Sequence, residues 1–117
     1  MEKKKQMKKL IRNGMIAVLV SHGYGAGWST WHSDEQLLFD PEIVLLVEKF
    51  RNESMSWDDF NEAVEKHCLT EYPEGVYLGG VDGLRVHWLT PGTRFSVREY
   101  DGAEFIELEK DMEWSVA

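Results

Sequence analysis

The chain is poor in the residues that clamp small folds together. Cys68 is the single cysteine among 117 residues. That excludes an intrachain disulfide and a cysteine-based zinc cluster. Long apolar runs are also missing. The longest strand-like one, "MIAVLV" at Met15–Val20, falls well short of the ~20 residues of a membrane span. It is also shorter than the ~7–15 residues of a secretory core and lacks a small-residue cleavage site. No repeat or low-complexity tract interrupts the chain, and its length predicts one domain. Basic residues are scarce beyond the amino terminus. Six of the thirteen Lys/Arg lie in residues 1–13, "MEKKKQMKKLIRN", with one acid, leaving seven against twenty acids in the rest. Long nucleic acid needs a basic surface along its phosphates, so this acidic body argues against it. With no membrane segment, a cytoplasmic protein is expected.

Apolar residues make up 43% of the chain, with five Trp and five Phe, enough for a real core. A domain of this size has little surplus stability, so homo-oligomerisation would help it. Residues 1–13 read as a basic, flexible arm and residues 14–117 as the folded domain. Met7 and Met15 offer alternative starts.

Met15–Val20 reads as a strand covered on both faces. Asp40-Pro41-Glu42 predicts a helix start, with a capping acid and proline at the first helical position. Ile43, Leu46, Val47 and Phe50 follow as its buried stripe. Ser56 with Asp59 opens a second helix carrying Trp57, Phe60, Val64 and then His67 or Cys68. From Val76 the period changes to two. "VYLGG", "LRVHWL", "TRFSVREY" and "AEFIELEK" are separated by Asp82-Gly83, Pro91-Gly92 and Asp101-Gly102, which reads as a meander of hairpins. Two-residue turns at the last two sites set Val97 opposite Ile106, Phe95 opposite Leu108, Trp88 opposite Phe95 and Val86 opposite Val97. One apolar face results. "MEWSV" is a candidate final strand. The expected fold is α+β: an N-terminal strand, two helices, then an antiparallel meander of four to five strands packed against the helices.

The chemistry concentrates in "SHGYGAGWSTWHS", Ser21–Ser33. Backbone N–H groups of a glycine loop can cradle anions. The dinucleotide fingerprint fails because Trp28 stands where its third glycine belongs, and no lysine follows as in a P-loop. Tyr24, Trp28 and Trp31 offer flat faces for a base or sugar. Ser21, Ser29 and Thr30 offer hydroxyls, and Gly23, Gly25 and Gly27 offer backbone; such mixtures line ligand sites. The alternative is a packed turn whose glycines only permit sharp bends. A metal set of His22, His32 and Asp34, and a triad of Ser29, His32 and Asp34, lack the spacing of known sites. A phosphodiesterase using His22 with His87 is a further alternative. On the meander, Arg85 faces Arg98 in the register above, with Arg94 nearby. Facing like charges call for an anion or for carboxylates. Glu107 and Glu109 on the same face can supply the carboxylates, Glu109 opposite Arg94.

"IAVLVSHGYGAGWSTW", "LLFDPEIV" and "YLGGVDGLRVHWLTPGTRFSVREYDGAEFI" resemble a family of small, mostly uncharacterised phage-encoded proteins. The resemblance covers residues 15–117 and leaves out the basic tail. It carries no catalytic motif. It implies an anti-defence factor that sequesters a nucleotide-derived immune signal, of cyclic ADP-ribose or cyclic dinucleotide type, in the host cytoplasm. The expectation is therefore a non-enzymatic binder of a nucleotide-type small molecule, needing no cofactor and no metal. Ser21, His22, Gly23, Tyr24, Gly25, Gly27, Trp28, Ser29, Thr30, Trp31, Arg85, His87 and Arg98 are its site. A small nucleotide hydrolase or lyase using the loop histidines, and a protein-interaction module inhibiting a host factor, are the alternatives.

Overall fold

The computed structural model describes residues 8–22, 27–31, 34–100 and 103–109, with Trp31 described by its backbone alone. Tail residues 1–7, the Asp101-Gly102 turn residues and the "MEWSV" segment lie outside them.

The architecture is α+β. The first hairpin was hidden inside the basic tail. Asn13 and Gly14 both take positive φ, 54° and 77°, as an Asn-Gly turn of type I′ requires. They join β1 (Ile11–Arg12) to β2 (Met15–Ser21), pairing Arg12 with Met15 and Ile11 with Ile16. Arg12 then clamps Glu48 through two N–H···O bonds of 2.6 and 2.9 Å, and its guanidinium lies over the Trp88 ring. The expected arm thus ends in structure at Ile11, two residues before the boundary at 13.

β2 is covered on both faces, as its unbroken apolar run predicts. Ala17 and Leu19 face one core and Val18 and Val20 another, all four at 0% exposure. Complete burial of each Val or Leu contributes roughly 1.5–3 kcal/mol, so this strand anchors both layers. α1 (Gln36–Phe39) is a single turn that sequence periodicity did not reveal. α2 (Pro41–Arg51) starts where expected: the Asp40 side chain accepts from the Glu42 and Ile43 N–H groups. α3 (Trp57–Glu71) is capped by Ser56, whose Oγ accepts from Asp59 N–H at 3.2 Å. Ile43, Val44 and Val47 of α2 and Phe60, Val64 and Cys68 of α3 are buried against Ala17, Leu19 and Leu84. Phe50 and Phe60 stack between the helices, centroids 4.6 Å apart.

The continuous meander does not form. "VYLGG" is no strand, and Asp82-Gly83 lies in a 3-10 turn, Val81–Gly83, that leads into β3 (Leu84–Leu89). β3 pairs antiparallel with β2, Val20 opposite Arg85 and Val18 opposite His87. The next turn explains the break. Thr93 N–H donates to the Thr90 carbonyl at 3.1 Å, with Pro91 second and Gly92 third at φ 84°. That is the type II pattern, whose twist splays the flanking strands rather than pairing them. β4 (Phe95–Tyr100) therefore leaves β3 and pairs with β5 (Ala103–Leu108) as a separate two-stranded sheet. Within it the expected register holds, Val97 opposite Ile106 and Phe95 opposite Leu108.

The single apolar face is consequently divided. Val86 and Trp88 join the helix-side core, while Phe95, Val97 and Ile106 cover the other face of β2 with Leu38 and Phe39. The layers run helix pair, three-stranded sheet β1-β2-β3, then the β4-β5 hairpin with α1.

Candidate functional site

β2 delivers two residues to opposite sides at its carboxyl end. Ser21 points inward and is completely buried. Its Oγ–H donates to the Gly80 carbonyl at 2.7 Å and its N–H to Glu104 Oε1 at 3.0 Å. His22 follows on the side of Val18 and Val20, its N–H bonded to the Gly83 carbonyl at 2.8 Å.

Glu104 was not anticipated. It shares the inward parity of Ile106 and Leu108 on β5, and is only 3% exposed. Its Oε2 accepts from the Trp28 N–H at 2.7 Å, from the Thr30 N–H at 2.9 Å and from the Thr30 hydroxyl. With Ser21 this makes four donors on one buried carboxylate, at the amino end of the 3-10 turn Ser29–Trp31. Backbone N–H groups in such a turn form an anion nest. A nest forms at Trp28 and Thr30, and its anion is the chain's own side chain. Of the glycine backbone expected to cradle an anion, Gly23 and Gly25 lie outside the described residues. Thr30 and the Trp28 backbone hold Glu104, where ligand phosphate had been expected. Ser21 is likewise a buried structural residue.

Trp28 is corrected further. It is 0% exposed, packed in the helix-side core, and its indole N–H donates to the Leu37 carbonyl at 2.8 Å. Its ring faces are covered by protein and offer no stacking platform. Gly27 is buried beside it, and Ser29 is half-buried in the turn. Gly23, Tyr24, Gly25 and His32 lie outside the described residues, as does the Trp31 side chain.

His22 and His87 do come together. Their Nε2 atoms are 2.9 Å apart and their rings stack at 5.1 Å between centroids, tilted by 29°. At this distance one Nε2 carries hydrogen and the other accepts it. Burial lowers the His22 pKa first, then the positive charges of Arg85 and Arg51, with Glu104 opposing. Burial and the His22 ring lower that of His87. Both rings are therefore neutral near pH 7.

The two arginines have different anchorage. Arg51, at the end of α2, donates to the Leu84 carbonyl from Nε at 3.1 Å and Nη2 at 3.0 Å, and from Nη2 to the Asp82 carbonyl at 2.6 Å. These are carbonyls, which orient its charge, and the Asp82 carboxylate acts on it from beyond ion-pair distance. Arg85 is exposed on β3, with no hydrogen bond or ion pair to any described residue. Arg98 is elsewhere. It stands opposite Phe105 on β4, ion-paired with Glu107 at 2.8 Å, and Arg94 pairs with Glu109 at 3.1 Å. Carboxylates thus answer the charge on the hairpin. The expected facing of Arg85 and Arg98 is overturned because β3 and β4 do not pair.

A second polar cluster joins the helices. Asp40, 2% exposed, accepts at Oδ2 from Tyr72 O–H at 2.6 Å and faces His67 Nε2 at 2.8 Å. His67 Nδ1 lies 2.7 Å from Glu42. Burial and Asp40 raise the Tyr72 pKa, and push that of Cys68 up to about 11. Cys68 is thus a packed thiol, unsuited to act as a nucleophile. Among the described residues no three His, Cys, Asp or Glu side chains are grouped to hold a metal ion. No helix among them is long and apolar enough to cross a membrane.

No family model, curated protein or solved structure matches this chain. Function is therefore argued from the corner formed by His22, His87, Arg85 and Arg51. Sequence reasoning reached three of these four. Arg51 was missed because a basic residue in a last helical turn is the ordinary complement of the helix dipole.

Proposed function

We propose that the protein binds a small, phosphate-bearing molecule of nucleotide type at the His22–His87–Arg85 corner, with Arg51 behind, and holds it without converting it. One observation carries this reading. In a chain of net charge −8, two arginines and two histidines meet at one corner. Neither arginine has a carboxylate within ion-pair distance among the described residues, Asp82 acting on Arg51 only from farther off. Arg is suited to phosphate oxygens, and a like-charged cluster is relieved by an anion. A cyclic nucleotide-derived immune signal, the ligand that the resemblance to small phage proteins implies, has that chemistry, and sequestration would be the role.

Native mass spectrometry of the purified protein, followed by titration of nucleotides with tryptophan fluorescence and calorimetry, tests the proposal. A ligand recovered intact, or binding that Arg85→Ala abolishes with the fold retained, is the expected result. No binding of any tested phosphate compound at millimolar concentration refutes it.

The histidine contact favours a second reading, a nucleotide hydrolase or lyase with His22 and His87 as acid and base. In-line displacement at phosphorus places acid and base on opposite sides of the phosphoryl group. Rings that meet Nε2 to Nε2 at 2.9 Å approach a phosphate from the same side, so holding the ligand without converting it is preferred. Product formation lost in both His22→Ala and His87→Ala would reverse that preference.

A further inference from the structure

The Nε2–Nε2 contact carries more than the presence of an anion site. A hydrogen bond between two imidazole nitrogens uses one N–H and one lone pair. At 2.9 Å the pair has spent its only Nε2 donor on itself. A phosphate oxygen finds no donor there until a second proton arrives. With that proton one ring becomes an imidazolium and both Nε2 atoms are donors. Their facing N–H groups repel, and the rings turn apart to open a space in which both donate to oxygens on one side of the same group.

The charges facing the pair fix what fills that space. Arg85 on β3 and Arg51 on α2 are positive toward His22, and Glu104 on β5 is the opposing negative group. Glu104 is already engaged by four donors. Asp82 acts on Arg51, which is also repelled by Arg85. One imidazolium and Arg85 together carry two positive charges and call for a doubly charged group. A phosphodiester carries one negative charge on its phosphorus; a terminal phosphate carries up to two above its second pKa of about 6.

Resting on the function proposed above, we infer that the group held by the His22–His87 pair is a terminal, dianionic phosphate, and that it enters together with one proton. The ligand class is then a phosphomonoester, which keeps the anion site proposed above but replaces the cyclic signal named there, because the site discriminates against cyclic diesters. Burial lowers both ring pKa values, joined at His22 by the arginines and at His87 by the His22 ring, so the proton is acquired on binding. In the range where the ligand stays dianionic, above about pH 7, affinity falls about tenfold per pH unit for one coupled proton.

The probes are adenosine 5′-monophosphate and adenosine 3′,5′-cyclic monophosphate, with inorganic pyrophosphate as a base-free control. Calorimetry at about pH 7.5 in two buffers of different ionisation enthalpy counts protons directly. The inference expects uptake of one proton with the 5′-monophosphate and binding at least about tenfold tighter than that of the cyclic compound. It also expects loss of the uptake in His87→Gln, with the fold checked by its thermal melt. Binding of the 5′-monophosphate without proton uptake, or equal or tighter binding of the cyclic compound, overturns the inference and leaves the proposed anion site standing. Silence from all three probes at millimolar concentration overturns both.

Discussion

Removing the charge of Glu104 while keeping its shape tests the central feature of the loop. In Glu104→Gln one carboxylate oxygen becomes an NH2 group. If the remaining oxygen sits at the Oε2 position, it still meets the Trp28 and Thr30 N–H groups and the Thr30 hydroxyl. The new NH2 then points at the Ser21 N–H, which Oε1 now accepts at 3.0 Å. Hydrogen bonds to a charged group contribute about 1.5–3 kcal/mol and neutral ones about 0.5–1.5, so three bonds weaken by about 1 kcal/mol each. The orphaned Ser21 N–H adds about 1–3 kcal/mol. Relief from burying a charge offsets part of this, leaving a net loss of about 2–4 kcal/mol. Against a typical total of about 5–15 kcal/mol that is a large fraction, and it lowers the melting temperature by about 10 °C. Urea and thermal unfolding measure it, and amide exchange localises it to Ser21, Trp28 and Thr30. Thr30→Val, which replaces the hydroxyl by a methyl group, should lose about 1.5–3 kcal/mol. A Glu104→Gln protein that melts with the parent and keeps those amides protected refutes the anchoring role.

Trp28→Phe removes the indole N–H that meets the Leu37 carbonyl and leaves a gap in the core. Urea titration should show a loss of about 2–4 kcal/mol, whereas a ligand platform at that position would spare stability. Gly14→Ala meets no neighbour, but its φ of 77° is strained for a residue with Cβ, so about 1 kcal/mol is lost in thermal melts. For His22 and His87 the folded pKa lies below the unfolded value. The unfolded state therefore binds more protons on the acid side. Their contribution is complete above the unfolded pKa of about 6.5 and is lost as pH falls through the folded values. Ring-proton NMR should place both titrations below the ordinary range. Arg85→Gln should move His22 upward and recover part of the acid-side loss; an unmoved His22 would show that Arg85 does not act on it.

The helices and the local register were legible because their signals lie within a few residues. Asp40-Pro41 starts α2, Ser56 caps α3, and residues 95–100 and 103–108 pair in the register their alternation demands. The first hairpin was equally local, an Asn-Gly pair, but the surrounding lysines led the segment to be read as a tail. The partners across the chain were not legible. Alternation alone places Glu104 inward, yet nothing in "AEFIEL" says that three backbone N–H groups and a hydroxyl from Ser21, Trp28 and Thr30 await it. Trp28 reads as a recognition residue until the core closes over it.

By itself, the sequence determined an acidic α+β chain: two capped helices, a strand buried on both faces, and a β4-β5 register. Those follow from periodicity, capping chemistry and composition, which act over one or two turns of chain. Tertiary structure alone decided which strands share a sheet, because the twist of the Thr90–Thr93 turn separates β3 from β4. By that separation it sent Arg98 to Glu107 and left Arg85 beside His22 and His87. It also filled the loop's anion nest with Glu104. The demand for an outside anion therefore rests with the histidine pair and its two arginines, residues that only the packing of β2, β3 and α2 brings together.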